Sequence, residues 1–306
     1  MIQTIGQALG RREKNQSIRK GLDATAAKLL LLTALVSLLA VVLISLFIMA
    51  QSIPFFSEVP LRQFLFSTQW SPSANYPTYG IFSFIVTSII VTLLALAFST
   101  PIALSTAIYL SEFAQGKMAS LLRQSIELLA GIPSIIYGLF GIAVVVPLVR
   151  NTLGGNGYSL LSASMILAIM ILPTIINVSE VSIRAVSREL REASVAMGAT
   201  RWQTIKGVVL PAAKSGIVSS IILGIGRAVG ETTAVLLVGG NAPIFPTSAI
   251  SMGRTLTMNI ITDMSYAEGT HMSALFATGI LLFAFILALN LIVVSVSRKS
   301  RLESER

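Results

Sequence analysis

Six long apolar runs divide the chain: residues 29–50, 81–105, 128–148, 160–178, 217–238 and 273–297. Each has about the ~20 residues that an α-helix needs to cross ~30 Å of hydrocarbon. Five of the runs carry no charge, and the run at 217–238 is interrupted by Arg227 and Glu231. Pro101 lies near the end of the second run, Pro133 inside the third and Pro173 inside the fourth. A spanning helix tolerates proline because neighbouring helices and waters satisfy the freed carbonyl. Such kinks suit a moving pathway, and they are also ordinary in membrane helices. The fold class expected is all-α, a polytopic membrane protein with six transmembrane helices. Residues 1–28 then form a basic N-terminal segment, residues 29–298 the transmembrane domain and residues 299–306 a tail. The first run is longer than a signal peptide's apolar region, and Ile48 stands where cleavage after Ala50 would need a small residue. It reads as a retained anchor.

Composition agrees with this picture. The chain is 54% hydrophobic and 11% charged, against about 25% charged residues in soluble domains. The net charge of +9 would fit nucleic-acid binding, but the positions of the charges argue against it. Of the 22 Lys and Arg residues, only Arg62, Arg150 and Arg254 fall on one side of the predicted spans, and Arg227 falls within the fifth. All the others lie on the opposite side, at the two ends of the chain and in the loops after the second and fourth spans. The positive-inside rule places that side, with both termini, in the cytoplasm of a multi-pass plasma (inner) membrane protein. The basicity therefore reads as topology and attraction to membrane lipid, with no nucleic acid involved. Cysteine is absent and His271 is the one histidine, so thiolate and multi-histidine metal sites are excluded. His271 reads most simply as a polar residue near a membrane surface. The two long external segments, at 51–79 and 239–272, read either as connectors or as surfaces for an external partner.

The loop at 184–215 holds much of the charge: Arg184, Arg188, Glu189, Arg191, Glu192, Arg201, Lys206 and Lys214. Ser187 is a plausible cap for a helix that runs to Met197, and Gly198 suits its C-terminal end. A second short helix starts near Thr200, and Pro211 stops or kinks the chain before the fifth span. Leu190, Ala193, Val195, Ala196, Met197 and Trp202 are interleaved with the charges. A short helix with an apolar side and charged shoulders suits docking into a groove; a solvated loop lying on anionic lipid is the plainer alternative. No G-x-x-x-x-G-K-[ST] phosphate loop occurs, so the chain is not expected to hydrolyse ATP itself.

Arg227 lies near the middle of the fifth span and Glu231 one helical turn later. A central arginine costs ~2.5–3.5 kcal/mol on insertion scales. In a continuous helix Glu231 shares its face and can pair with it. Two readings stay open: Arg227 faces a polar cavity and helps an anion pass, or the two residues form a buried ion pair that locks helices together. Gly226 and Gly230 offer a small face for close helix approach. Asn177, Ser179 and Glu180 are weaker pathway candidates; Glu180 also fits a pair with Arg184, and Glu127 one with Arg123.

Several segments resemble a known family. Glu192-Ala193-Ser194, then Gly198 three residues on, then Val208-Val209-Leu210-Pro211 after nine more, is similar to the E-A-A-x3-G-x9-I-x-L-P loop of ABC-importer permeases. It departs from that pattern only at Ser194 and Val208. The stretch from Ile126 to Gly138, the stretch from Leu223 to Thr232, and Trp70-x-Pro72 with Tyr79-Gly80 resemble phosphate-importer permeases. Thr233-Ala234-Val235 after the Glu-Thr pair is closer to the PstC type than to the PstA type. The resemblance runs from about residue 28 to 298.

It implies a type I ABC importer permease fold and inorganic phosphate as substrate. It implies a second, PstA-type permease across the pore, a PstB-type ATPase homodimer that holds ATP and Mg, and a PstS-type extracytoplasmic phosphate-binding protein; this chain itself carries no cofactor, metal or catalytic site. In that reading Arg191, Glu192, Ala193, Ser194, Gly198, Leu210 and Pro211 couple to the ATPase, and Arg227, Glu231 and Thr232 line the substrate pathway. The alternatives are a permease for sulfate, molybdate or phosphonate, a secondary transporter, or a sensory membrane subunit.

Overall fold

A computed structural model describes the backbone of residues 2–304 and the side chains of residues 25–295. The basic side chains expected at both ends, from Arg11 to Lys20 and from Arg298 to Arg306, lie outside the described side chains. The chain is helical apart from one two-stranded hairpin. In order it forms α1 (Ile2–Glu58), α2 (Leu61–Phe66), β1 (Trp70–Ser71), β2 (Thr78–Tyr79), α3 (Phe82–Glu112), α4 (Gly116–Gly131), α5 (Ser134–Phe140), α6 (Val146–Leu153) and α7 (Leu160–Arg184). Then follow α8 (Arg188–Ala196), α9 (Arg201–Thr204), α10 (Leu210–Ala212), α11 (Lys214–Gly230), α12 (Thr233–Val238), α13 (Leu256–Asp263) and α14 (Gly269–Ser304). Single π-helical turns join α5 to α6 and α9 to α10.

Among the described residues, five helices are long and apolar enough to span a membrane. A sixth span arises if residues 201–230 count as one, bent by 68° between Ala212 and Lys214. The expected boundaries shift where sequence chemistry breaks a helix. The third span runs from Ser134 to Leu153, because Pro133 does not lie inside a helix as expected. It adopts extended backbone and starts α5, while Ile132 ends α4. Tyr137 repairs the break by donating its hydroxyl to Leu129 O at 2.6 Å. The fifth run also breaks: α11 ends at Gly230 and α12 begins at Thr233.

Residues up to Gln51 and residues from Ser52 onward form two compact units. The first is a helical segment that contains the first apolar run. The second is built around α7. On one side of α7 lies α3, whose Ala95, Ser99, Ala103 and Ala107 are fully buried at four-residue spacing. On the other lies α11, where Gly216, Ser220, Gly224 and Ala228 repeat the same spacing. A Cβ on Gly224 would lie 2.9 Å from Ile175 Cγ1, and one on Gly216 would collide with Ser182. Ser220 and Ser179 share a hydrogen bond of 2.8 Å across the contact. In lipid, where burial against water does not drive helices together, small residues permit the close packing that does. The small-residue face that packs within this chain is thus Gly216–Ser220–Gly224; Gly226 and Gly230, expected to serve this way, have open space where a Cβ would stand.

The two long segments between spans, expected to be external, are packed structure rather than plain connectors. Phe55, Phe64, Trp70, Tyr79, Phe84 and Leu256 form a second core. Gly80 is required there, because a Cβ would run into the backbone of Ser67. At its centre lies Asp263, whose side chain is 2% exposed. It accepts from Arg254 Nη1 at 3.0 Å, Trp70 Nε1 at 2.8 Å and the Tyr266 hydroxyl at 2.6 Å. His271 Nε2 lies 3.3 Å from it, so the one histidine is a buried partner of this carboxylate. Partial burial, the hydrogen bond to Asp263 and that residue's charge raise the Tyr266 pKa above its ordinary value, against the opposing Arg254. Tyr266 therefore stays a neutral donor at physiological pH. One carboxylate ties the hairpin, the loop before α13, α13 itself and α14 together.

Two outcomes follow for stability. Asp263→Ala leaves Arg254 buried without its counter-charge, and such losses cost about 3–5 kcal/mol; thermal melting of the purified chain should fall sharply. Gly224→Leu forces α11 off α7 at about 1–3 kcal/mol, whereas Gly226→Ala should leave the melting temperature of the same preparation in place.

Candidate functional site

Two regions hold the residues singled out by the sequence: the loop between α7 and α11, and the break at the end of α11. In the loop, Ser187 stands at the cap position of α8 in extended conformation, but its side chain makes no capping hydrogen bond. Glu189 in the first turn complements the helix dipole instead. Gly198 ends the helix at φ +85°, and a Cβ would meet nothing there. The left-handed backbone, not lack of space, selects glycine. Thr200 and Gln203 form a reciprocal capping box that starts α9. Ala213 is the joint of the 68° bend, two residues past Pro211.

The loop has two faces. Thr204, Ile205 and Val209 are buried toward the core. Glu192, Ala193, Gly198 and Pro211 are exposed, and Leu210 is half-buried. Leu190, Val195, Met197 and Trp202 are exposed among the charges, with Met197 89% exposed. That is apolar surface on a charged loop outside the spans, the kind of patch that marks a protein contact. Ser194 does not face outward with Glu192; its hydroxyl bonds Thr204 Oγ1 at 2.9 Å and braces α8 against α9. Arg191 also turns inward, onto Glu112 and onto Ile183 O at 2.7 Å. Glu180 pairs with Arg184 as expected, at 3.2 Å, and additionally with Arg123 at 2.8 Å. Arg123 thus serves Glu180 and not Glu127, which is exposed and in no ion pair among the described residues.

The expected pair of Arg227 with Glu231 does not form. Pairing four residues apart needs a continuous helix, and Glu231 is the residue that ends α11, in extended backbone at φ −72°, ψ 132°. Its carboxylate accepts from Ala234 N at 3.0 Å and caps α12. Its carbonyl accepts from Thr257 Oγ1 at 2.9 Å. Gly230 and the β-branched Thr232 and Thr233 make this the weakest helical stretch of the run. Thr232 lies half-buried in the break, its hydroxyl 3.4 Å from Gly230 O. Ser88 and Thr92 of α3 line a small cavity beside Glu231.

Arg227 instead donates from Nη1 to Thr174 Oγ1 on α7 at 3.0 Å. Its five N–H groups are thus offered one neutral hydroxyl and no carboxylate among the described residues. Asn177 is exposed nearby in sequence, and Ser179 is used up in helix packing. Thr174 escaped the sequence reading because a lone hydroxyl in an apolar run carries no pattern. Glu112, at the end of a long apolar run, was the other overlooked charge. The geometry offers a partly buried cation in a spanning segment, next to a helix break, with donors left for an anion.

Comparison with known proteins extends this. The family model described as "Binding-protein-dependent transport system inner membrane component" matches residues 99–302. The probable ABC transporter permease protein YqgH of Bacillus subtilis is 36% identical over 266 residues, covering 84% of this chain and 86% of that protein. The phosphate transport system permease protein PstC of Xylella fastidiosa is 34% identical over 298 residues, covering 88% and 90%. That of Pasteurella multocida is 35% identical over 255 residues, covering 77% and 78%. Among solved structures, a bacterial alginate ABC transporter in complex with its alginate pentasaccharide-bound periplasmic protein aligns with a TM-score of 0.58 at 18% identity, over 88% of this chain and 94% of that one. An inward-facing MetNI methionine ABC transporter aligns with a TM-score of 0.52 at 20% identity, over 71% and 94%. At these identities the structures establish the fold alone, that of type I ABC importer permeases. Spans, loop and sequence relatives agree, and the chain belongs to the binding-protein-dependent transport system inner membrane components, the permeases of ABC transporters.

Proposed function

We propose that this chain is the PstC-type permease subunit of an ATP-driven importer of inorganic phosphate. It forms half of the pore, with a PstA-type permease supplying the other half. The observation that carries the reading is Arg227: a cation inside a spanning segment whose recorded partner is one hydroxyl. Such a group is expensive unless an anion or a polar passage compensates it. The sequence relatives named for phosphate transport supply the identity of that anion.

The residues take distinct parts. Arg227 holds the phosphate by charge-assisted hydrogen bonds, and Thr174 orients the guanidinium toward the passage. Glu231 and Thr232 shape the break and keep its backbone groups bonded, so that α12 can move relative to α11. Glu192 and Ala193, with the exposed Leu190, Val195, Met197 and Trp202, form the docking face for a PstB-type ATPase dimer, where ATP and Mg reside. Gly198 sets the turn, and Leu210 and Pro211 anchor the loop before the 68° bend. A PstS-type protein delivers phosphate to the external cap around Asp263. The distribution of Arg and Lys supports cytoplasmic termini in the inner membrane.

The test is ATP-driven uptake of labelled phosphate in proteoliposomes holding the four components. Arg227→Gln should lower uptake by about 10–100-fold, as expected for loss of charged hydrogen bonds of about 1.5–3 kcal/mol, while the complex still assembles. Thr174→Val should lower uptake less and raise the phosphate concentration needed for half-maximal rate. Glu192→Ala should weaken retention of the ATPase on the permease. Uptake of sulfate or molybdate in place of phosphate by an assembled wild-type complex would overturn the substrate; full uptake in Arg227→Gln would remove the arginine from the pathway.

A further inference from the structure

The last turn of α3 is held by four arginines, each from a different element. Leu110 O accepts from Arg123 Nη2 of α4 at 3.1 Å and lies 3.5 Å from Arg184 Nη2 of α7. Glu112 pairs with Arg191 of α8. The Arg201 guanidinium of α9 lies 4.6 Å from the centroid of the Phe113 ring. A helix C-terminus carries free carbonyls and partial negative charge, so cations gather there. The four do not act alike, however. Arg123 and Arg184 both also pair with Glu180 and join α3 to α4 and α7. Arg191 and Arg201 come from α8 and α9, and they reach Glu112, the last residue of α3, and Phe113 just beyond it.

Arg191 is well placed to carry force. Its side chain is 23% exposed and that of Glu112 is 10% exposed, so water screens the pair little. It also donates to Ile183 O at 2.7 Å, which fixes its direction. Glu192, the next residue, faces outward. One helix turn thus carries an outward-facing group and an inward-facing one side by side. From Glu112, α3 runs unbroken back to Phe82. In its other half, Ser88 accepts from Leu256 N at 3.0 Å, and Ser88 and Thr92 line the cavity beside Glu231. One helix, with Pro101 inside it, thus connects Glu112 to the residues beside the Glu231 break.

We infer that the Arg191–Glu112 pair, supported by Arg201 on Phe113, is the joint through which the coupling loop drives α3, and that Arg191 and Glu112 are positioning residues for transport and not contacts for the ATPase. This rests on the importer reading above. It separates two properties that one loop would otherwise lose together: grip on the ATPase, held by the outward face, and transmission, held by this pair.

The experiment measures, in the reconstituted four-component complex, ATPase co-purification, ATP hydrolysed and inorganic phosphate imported. The variants are Glu112→Gln, Glu112→Arg, Arg191→Glu and the exchanged pair Glu112→Arg with Arg191→Glu. The joint requires that the single variants keep the ATPase bound and hydrolysing while phosphate imported per ATP falls by roughly fivefold or more, the lower end for coupling between sites. The exchanged pair should recover part of that ratio over either single charge reversal, since a carboxylate at 191 restores the ion pair but cannot donate to Ile183 O. An unchanged ratio in Glu112→Gln, or uptake and hydrolysis falling in parallel with assembly, would show a merely structural ion pair and overturn the inference. Should the wild-type chain fail to bind an ATPase at all, the importer reading falls, a result distinct from an unchanged ratio.

Discussion

Close approach of α3 and α11 to α7 is the constraint on which the rest depends. Stripes of Ala, Ser and Gly at four-residue spacing remove side-chain volume along both contacts, and helices in lipid gain their association from such packing. With that distance set, Arg227 on α11 comes within hydrogen-bonding reach of Thr174 on α7. The same packing brings Glu180 of α7 to Arg123, which also holds the end of α3. A larger residue in either stripe would shift the site as well as the core.

The charges sort by depth. At one end of α3 and α7, acidic residues meet arginines in pairs: Glu180 with Arg123 and Arg184, and Glu112 with Arg191. In the external cap, Asp263 answers Arg254 with His271 beside it. Arg227, between these layers, is met by a hydroxyl instead of a carboxylate. Removing charge from water is costly, and a paired charge recovers part of the cost. Arg227 thus differs from the paired charges at both ends in having donors left over.

Helix breaks interrupt this packing at three places. Pro133 separates α4 from α5, Glu231 and Thr232 separate α11 from α12, and Ala213 bends the chain by 68°. The first two breaks are closed by side-chain chemistry: Tyr137 donates to Leu129 O, the Glu231 carboxylate accepts from Ala234 N, and Thr257 donates to Glu231 O. These bonds satisfy backbone groups that lipid cannot, which is the condition for irregular backbone at membrane depth.

Much of this protein was legible before its structure was known. Apolar runs long enough to cross a bilayer are local properties, so the spans could be read from residue order. The spaced loop from Glu192 to Pro211 was readable as well, because Gly198 and the Thr200 capping box act within one or two helical turns. Partner choice was not readable. Glu231 sits one turn after Arg227, and only the break at Gly230 sends it to α12 instead. Arg191 sits beside Glu192, and only the tertiary placement of α8 brings it to Glu112. Gly226 and Gly230 looked like the packing face, while the neighbours of α7 selected Gly216 and Gly224. Sequence alone determined where the long apolar helices lie, because short-range forces decide that; tertiary structure alone decided which charges meet, because that depends on distances between residues far apart in the chain.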